Sequence, residues 1–227
     1  MSGIGLLNEK PLHASLKAWY ASPGARLEVP VKGFVIDLVQ DDVLVEIQTA
    51  GFASIKEKLG RLTVDHRVRL VHPIPLEKWI VRPARDGSGG TIRRKSPKRG
   101  KVHDLFWQLV SFPDLLAHPN FALEVLLTRE DEVRRYEGKR RWRNRGWAVE
   151  ERRLLEVVER WLFERPADLR VLIPDALEEP FTTRELAEAI EGRRVLAQKM
   201  AYCLRRMGIF ELVGRRGPAN LYRLAGS

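Results

Sequence analysis

Two adjacent runs constrain this chain more than any other feature. Phe34-Val35-Ile36-Asp37-Leu38-Val39 and Val43-Leu44-Val45-Glu46-Ile47-Gln48-Thr49 are both rich in β-branched residues, and the polar Gln40-Asp41-Asp42 separates them. Such runs around a short polar turn form a β-hairpin. Apart from Asp37, Glu46 and Gln48, both faces of both strands are apolar, which places the hairpin in the middle of a sheet covered on two sides. A two-residue loop at Asp41-Asp42 sets Asp37 directly across from Glu46 and Val35 across from Gln48. Side chains alternate along a strand, so Asp37, Glu46 and Gln48 then share a face. Opposed β-carbons lie about 4.5–5.5 Å apart, and two carboxylates held there repel each other unless a cation or a proton intervenes. Magnesium binds through one or two carboxylates together with water and substrate phosphate, so the patch suits metal-assisted phosphodiester hydrolysis with Mg2+ or Mn2+.

The flanking pattern supplies the rest of an α/β core. Residues 5–20 are expected to be helical, because Leu12, Leu16 and Tyr20 recur at helical spacing and Pro11 is tolerated in a first turn. Glu9 precedes Leu12 and Leu16 by three and seven residues and so shares their inward face; a first-turn glutamate also complements the helix dipole. Residues 26–31 read as an edge or bulged strand containing Pro30. After the hairpin, Phe52, Ile55, Leu59 and Leu62 mark a second helix, and Arg67–Val71 and Trp79–Val81 mark two strands. The order is α-β-β-β-α-β.

Ile36-Asp37 followed by Val45-Glu46-Ile47-Gln48 resembles the motif of the PD-(D/E)XK nucleases, and the resemblance covers residues 5–82. It implies a restriction-endonuclease-like core in which Asp37 and Glu46 are metal ligands and the Ile47 carbonyl is a third. Archaeal Holliday-junction resolvases of that family add a metal-facing glutamate on the first helix, the place Glu9 holds here. The family's usual lysine is Gln48 in this chain, and glutamine cannot act as a cation. Some members carry glutamine there, whereas others recruit a lysine from the following helix, where Lys56 and Lys58 flank the apolar face equally. Relatives that cut both strands work as dimers, so the resemblance also implies a homodimer.

Charge points to a polyanionic partner. The chain of 227 residues carries a formal net charge of +10, with 29 arginines and 11 lysines. The excess falls in three blocks, residues 85–110, 134–153 and 193–227, each holding several basic residues per acid. Separate basic blocks suit several phosphate contacts and strongly salt-dependent binding. Arg93, Arg94 and Lys95 lie in a Gly-rich segment, 84–101, that lacks apolar periodicity. Arg140, Arg141 and Arg143 lie in an arginine-rich stretch interleaved with Tyr136, Trp142 and Trp147, a composition suited to phosphate contacts and base stacking. DNA is the expected partner, with RNA left open.

A helix over 102–116 and a strand over 121–127 are expected to complete a first domain, residues 1–133. A basic linker, 134–149, then leads to a second domain, 150–227. That domain is expected to open with an amphipathic helix carrying Leu154, Leu155, Val158, Trp161 and Leu162. Thr182-Thr183-Arg184-Glu185 is a capping box that starts a short helix, residues 193–207 form a longer one, and two short strands flank Gly214-Arg215-Arg216-Gly217-Pro218. Helices followed by a basic hairpin resemble a winged-helix domain, which implies DNA contacts from Arg193, Arg194 and Lys199 on the longer helix and from Arg215 and Arg216 at the wing.

Other chemistries find no support. There is no Walker A motif, GxGxxG or nucleophile elbow, and the histidines at 13, 66, 72, 103 and 118 read as bystanders. The lone Cys203 falls on a helix core face, where packing is its expected role; one cysteine gives no disulfide framework, as expected of a cytoplasmic protein. Two functions follow: a metal-dependent DNA endonuclease, or a nuclease-like DNA-binding protein without turnover, acting as a regulator or accessory subunit.

Overall fold

The computed structural model describes residues 9–84, 90–138 and 146–226. The first helix is α1 (Pro11–Tyr20), and it is followed by β1 (Arg26–Val31), β2 (Phe34–Gln40), β3 (Val43–Ile47), α2 (Lys56–Leu62) and β4 (Arg67–Pro83). The expected element order is therefore observed. Asp41 and Asp42 both have positive φ, 49° and 60°, the conformation that a two-residue hairpin loop needs to match strand twist. The register is the expected one, with Gln40 opposite Val43 and Leu38 opposite Val45.

The main sheet runs β1-β2-β3-β4-β6-β7, where β6 is Phe121–Tyr136 and β7 is Trp147–Phe163; β5 (Thr91–Lys95) pairs with the far end of β4. The β3–β4 and β4–β6 pairs are parallel and the others antiparallel. On one face, α1 buries Leu12 and Leu16 against Leu38, Val45, Ile47, Val71 and Leu126. On the other, a larger core joins Ile36, Leu44, Phe52 and Leu59 to Phe106, Phe163, Leu204 and Phe210.

Three expectations are corrected. The strands expected at 67–71 and 79–81 are one strand, although Pro73 and Pro75 interrupt it. Val68 donates its N–H to Asn120 on the β6 side, while Val71 C=O accepts from Gln48 on the β3 side. Pro73 and Pro75 share the parity of Val71, so the donors they lack would have pointed past the end of β3, where no strand lies to receive them. Pairing with β6 continues from Val68 opposite Phe121 to Val81 opposite Val133 despite the prolines.

The second correction moves a domain boundary. Residues 154–162 are not a helix but part of β7, and β7 pairs with β6 through the stretch expected to be a linker, with Tyr136 opposite Trp147. The register slips between Leu127 and Thr128, between Arg129 and Glu130 and between Val133 and Arg134, leaving Val158, Leu155 and Glu150 unpaired on β7. Bulges on an edge strand break its two-residue alternation, and these fall every three to five residues, so the apolar spacing imitates a helix.

Third, the expected helix over 102–116 is three short pieces, a 3₁₀ turn at 102–105, α3 (Phe106–Leu109) and a 3₁₀ turn at 113–117, broken where Pro113 follows Phe112. A 3₁₀ turn at 166–172, α4 (Thr183–Ala189), α5 (Arg194–Arg206) and the hairpin β8 (Phe210–Arg216) and β9 (Ala219–Leu224) complete the chain. Thr182 caps α4 by accepting from Glu185 N–H, and Glu185 reciprocates. Cys203 is buried in α5, and burial pushes its thiol up to about 12, consistent with packing. Among the described residues no helix is long and apolar enough to cross a membrane.

Candidate functional site

The paired residues of β2 and β3 stop at Leu38 and Val45. Beyond them the ladder no longer takes up the Ile47 N–H, and the Asp37 carboxylate accepts it instead, at 2.7 Å. Asp37 thus fills the gap between the diverging strands. Glu46 points to the α2 side, where Lys58 Nζ stands 2.6 Å from its Oε1; the same ammonium donates to the Val35 carbonyl at 2.7 Å. Although Oε1 is close to Lys58, it is buried and takes no properly directed hydrogen bond. Burial, reinforced by the charge of Asp37, raises the Glu46 carboxyl to about 7 in spite of Lys58. The two acids couple electrostatically, but they are not the face-sharing pair expected from the hairpin: the ladder stops at Leu38 and Val45, Glu46 turns to the α2 side, and Asp37 sits between the strands and reaches His13 of α1.

Of the two candidate lysines, Lys58 reaches the site and Lys56 is exposed away from it. Gln48 does not join the carboxylates. Its amide donates to Gly51 C=O at 2.8 Å and to Ser54 Oγ at 3.0 Å, closing the turn that leads into α2.

Glu9 arrives through a residue that sequence reasoning dismissed. His13 Nδ1 lies 2.6 Å from Glu9 Oε1, and its Nε2 lies 3.1 Å from Asp37 Oδ2. Carboxylate oxygens at both ring nitrogens favour the doubly protonated ring, an imidazolium, which can donate to each. Burial alone would depress the His13 pKa, but the bonds to Asp37 and Glu9 outweigh it and raise the value. Burial likewise opposes ionisation of Glu9, yet Lys17, at 2.7 Å, and His13 hold its carboxyl below the ordinary value. The helix expected over 5–20 begins only at Pro11, after an extended Lys10, so Glu9 reaches His13 from ahead of the first turn and helical spacing alone could not have signalled the contact.

Beside this cluster, beginning at Thr49, runs a groove of about 660 Å³ between the sheet and the C-terminal helices. Lys78, Lys98, Arg99, Arg152 and Arg193 line it, with Asp104 and Glu132 as the acids. Sequence reasoning had named only Arg193 among these bases. His72, on its wall, is buried and donates to the Gln48 carbonyl at 2.6 Å; burial, with Arg152 nearby, lowers its pKa to about 4, so the ring is neutral and pins the end of β3.

The remaining basic candidates divide. Arg93 pairs with Asp131 at 2.9 Å and lies over Trp79, and Lys95 pairs with Glu77 at 2.7 Å, so both serve the β4–β5 hairpin. Arg94, Arg194 and Arg215 are exposed. Lys199 is turned inward over the Trp107 ring, 5.6 Å from its centroid, and Arg216 pairs with Glu185 at 2.6 Å. Arg140, Arg141 and Arg143 lie outside the described residues. On α5 the outward face adds Tyr202 and Arg205 to Arg194.

No group of three or more His, Cys, Asp or Glu among the described residues is disposed to hold a metal ion. The pair Asp37 and Glu46, flanked by Lys58 and the imidazolium of His13, is what the fold assembles.

These features define a mixed α/β protein with a central sheet and an acid–base cluster where two of its strands part. The chain belongs to the family described as "Domain of unknown function (DUF8091)", which matches residues 10–164. The match ends where β7 ends, which agrees with β7 as part of the sheet. An "Uncharacterized protein" of Treponema pallidum (strain Nichols) is 30% identical over 221 residues, covering 97% of this chain and 87% of the relative. No solved structure matches.

Proposed function

We propose that this protein is a divalent-metal-dependent nuclease with a restriction-endonuclease-like core, acting on DNA. The observation that carries the proposal is the electrostatic coupling of Asp37 and Glu46 at the splayed end of β2 and β3, with Lys58 brought to Glu46 by the next helix. Mg2+ or Mn2+ is the ion this reading calls for: two carboxylates and a backbone carbonyl are the hard oxygen donors such ions take, and Lys58, 2.6 Å from Glu46 Oε1, occupies that oxygen in the metal-free protein. Asp37, Glu46 and the Ile47 carbonyl would hold the ion, which when bound supplies charge neutralisation and a more acidic water. Lys58 takes the role of the motif lysine in place of Gln48, offering an ammonium to the phosphate. His13 and Glu9 hold Asp37 from the α1 side and fix its orientation.

The groove that starts at Thr49 fits a phosphate backbone led past the acids, and the 166–226 segment supports a winged-helix reading with α5 and the β8–β9 hairpin outward. The second reading, a DNA-binding protein without turnover, draws on the commitment of Gln48 to Gly51 and Ser54. Incubation of the purified protein with linear, supercoiled and branched DNA and with RNA, with and without Mg2+ or Mn2+, separates the two. Metal-dependent cleavage abolished by Asp37→Ala and Glu46→Ala is expected. Cleavage that survives both substitutions rejects the site, and binding without cleavage selects the second reading.

A further inference from the structure

At the other end of α1, remote from His13, a cavity of about 460 Å³ opens beside the β2–β3 turn. Its wall includes Trp19, Tyr20, Gln40, Arg67, Arg69 and Arg160. Three of these side chains, Tyr20, Arg69 and Arg160, are tied to Glu124, which is only 1% exposed. Tyr20 OH donates to Glu124 Oε2 at 2.6 Å, and the Arg160 guanidinium donates to Oε1 at 2.7 Å. Arg69 donates to Tyr20 OH at 2.9 Å but stands 3.8 Å from the carboxylate. Glu124 is thus shared by Arg160 and, at longer range, Arg69, which also feels Glu164, and the exposed Arg67 adds further positive charge to the wall. Asp41 is a carboxylate on the wall.

One further fact gives the cavity a ligand's outline. Trp19 is 43% exposed, with the Arg160 guanidinium 5.5 Å from its ring. A planar, partly open aromatic beside paired guanidinium groups suits a base with a phosphate attached.

We propose that this cavity binds a nucleotide, with its base stacked on Trp19 and its phosphate on Arg67 and Arg69. Asp41 suits the sugar hydroxyls. The occupant is a free mononucleotide or the phosphorylated terminal nucleotide of a strand, and the chemistry recognised is the same. The site lies at the Val43–Arg67 end of β3 and β4, whereas the acidic pair lies at the Glu46–Leu70 end, so the inference does not depend on the nuclease reading.

The test titrates the full chain with AMP, with inorganic phosphate and with a 5′-phosphorylated oligonucleotide, read by calorimetry and by tryptophan fluorescence. Saturable binding of AMP or of the phosphorylated oligonucleotide with a Kd below about 1 mM is expected, and Trp19→Ala and Arg67→Ala should each weaken it roughly tenfold. Both side chains are exposed, so neither change should disturb the fold. Binding of AMP that the oligonucleotide does not displace assigns the pocket to free nucleotide; binding of the oligonucleotide alone assigns it to a strand end. Asp37→Ala should bind as the wild type does while losing any metal-dependent cleavage, which keeps failure of this site distinct from failure of the other. Absence of saturable binding, affinity unchanged in both pocket variants, or binding lost in Asp37→Ala instead overturns the proposal.

Discussion

Glu46→Gln should stabilise the metal-free protein above neutral pH, because burial and the charge of Asp37 make ionised Glu46 expensive. The Glu46 carboxyl rises from 4.5 to about 7 in the fold. At 1.36 kcal/mol per pH unit the ionised folded state is penalised by about 3 kcal/mol, an order-of-magnitude figure. The sign follows from which state releases its proton first. Below pH 4.5 Glu46 is protonated in both states and costs nothing; between 4.5 and 7 the unfolded chain ionises first and stability falls; above 7 the whole penalty is present. His72 works in the opposite sense, since it stays neutral in the fold down to about pH 4, and its contribution is present above 6.5 and lost as the pH falls. Raw profiles therefore mix the two, and the difference between wild type and variant isolates Glu46. Urea denaturation across this range should give nearly equal stabilities at the acid end and a variant more stable by up to about 3 kcal/mol at about pH 8. Adding Mg2+ should narrow the gap by stabilising the wild type alone. A variant equal to or weaker than the wild type at the alkaline end would refute the reasoning, because ionised Glu46 would then carry no penalty.

Lys58→Ala is expected to lower metal-dependent cleavage about 100-fold, the scale of losing one transition-state charge contact, while Lys56→Ala leaves the rate near wild type; single-turnover assays decide. Lys98→Ala and Arg193→Ala, both at exposed positions on the groove, should each reduce the slope of log binding constant against log salt by about 0.9 for duplex DNA. Thr182→Ala removes the cap on α4 and should cost about 1 kcal/mol in thermal or chemical unfolding.

The hairpin was legible because turn chemistry fixes register: two aspartates in a two-residue loop leave one way to pair the strands, and the pairing holds as far as Leu38 and Val45, beyond which the strands part before residues 37 and 46. The capping box at Thr182 was legible for the same local reason. What the sequence hid depends on partners distant along the chain. Thr128–Tyr136 looks too charged for a strand, yet Glu130 is buried against Arg152 and Glu132 against Lys78 and Arg134, pairings that exist only once β7 and β4 lie alongside. β7 read as a helix because its bulges reset the phase of its apolar residues. His13 looked idle because a histidine's role is set by what faces each nitrogen, and Asp37 faces it only through the packing of α1 on the sheet.

The same pairings reframe the basic excess. Among the described residues five glutamates are buried: Glu46, Glu77, Glu124, Glu130 and Glu132. Lys95, Arg99 and Arg129 surround Glu77; Arg160 and Tyr20 hold Glu124; Arg152 grips Glu130 through two nitrogens; Lys78 and Arg134 hold Glu132. These seven of the 40 arginines and lysines are thus committed to the protein's own buried acids, so position rather than composition decides which bases a polyanion could meet. Glu77 and Glu132 sit below their ordinary pKa, as carboxylates with matched partners should, whereas burial and Asp37 push Glu46 up. A fold that can bring two or three cations to a buried glutamate elsewhere gives Glu46 one lysine and a second acid. Burying a charge without a full set of partners is costly, and strain of that kind concentrates where a site must bind something the chain does not itself contain.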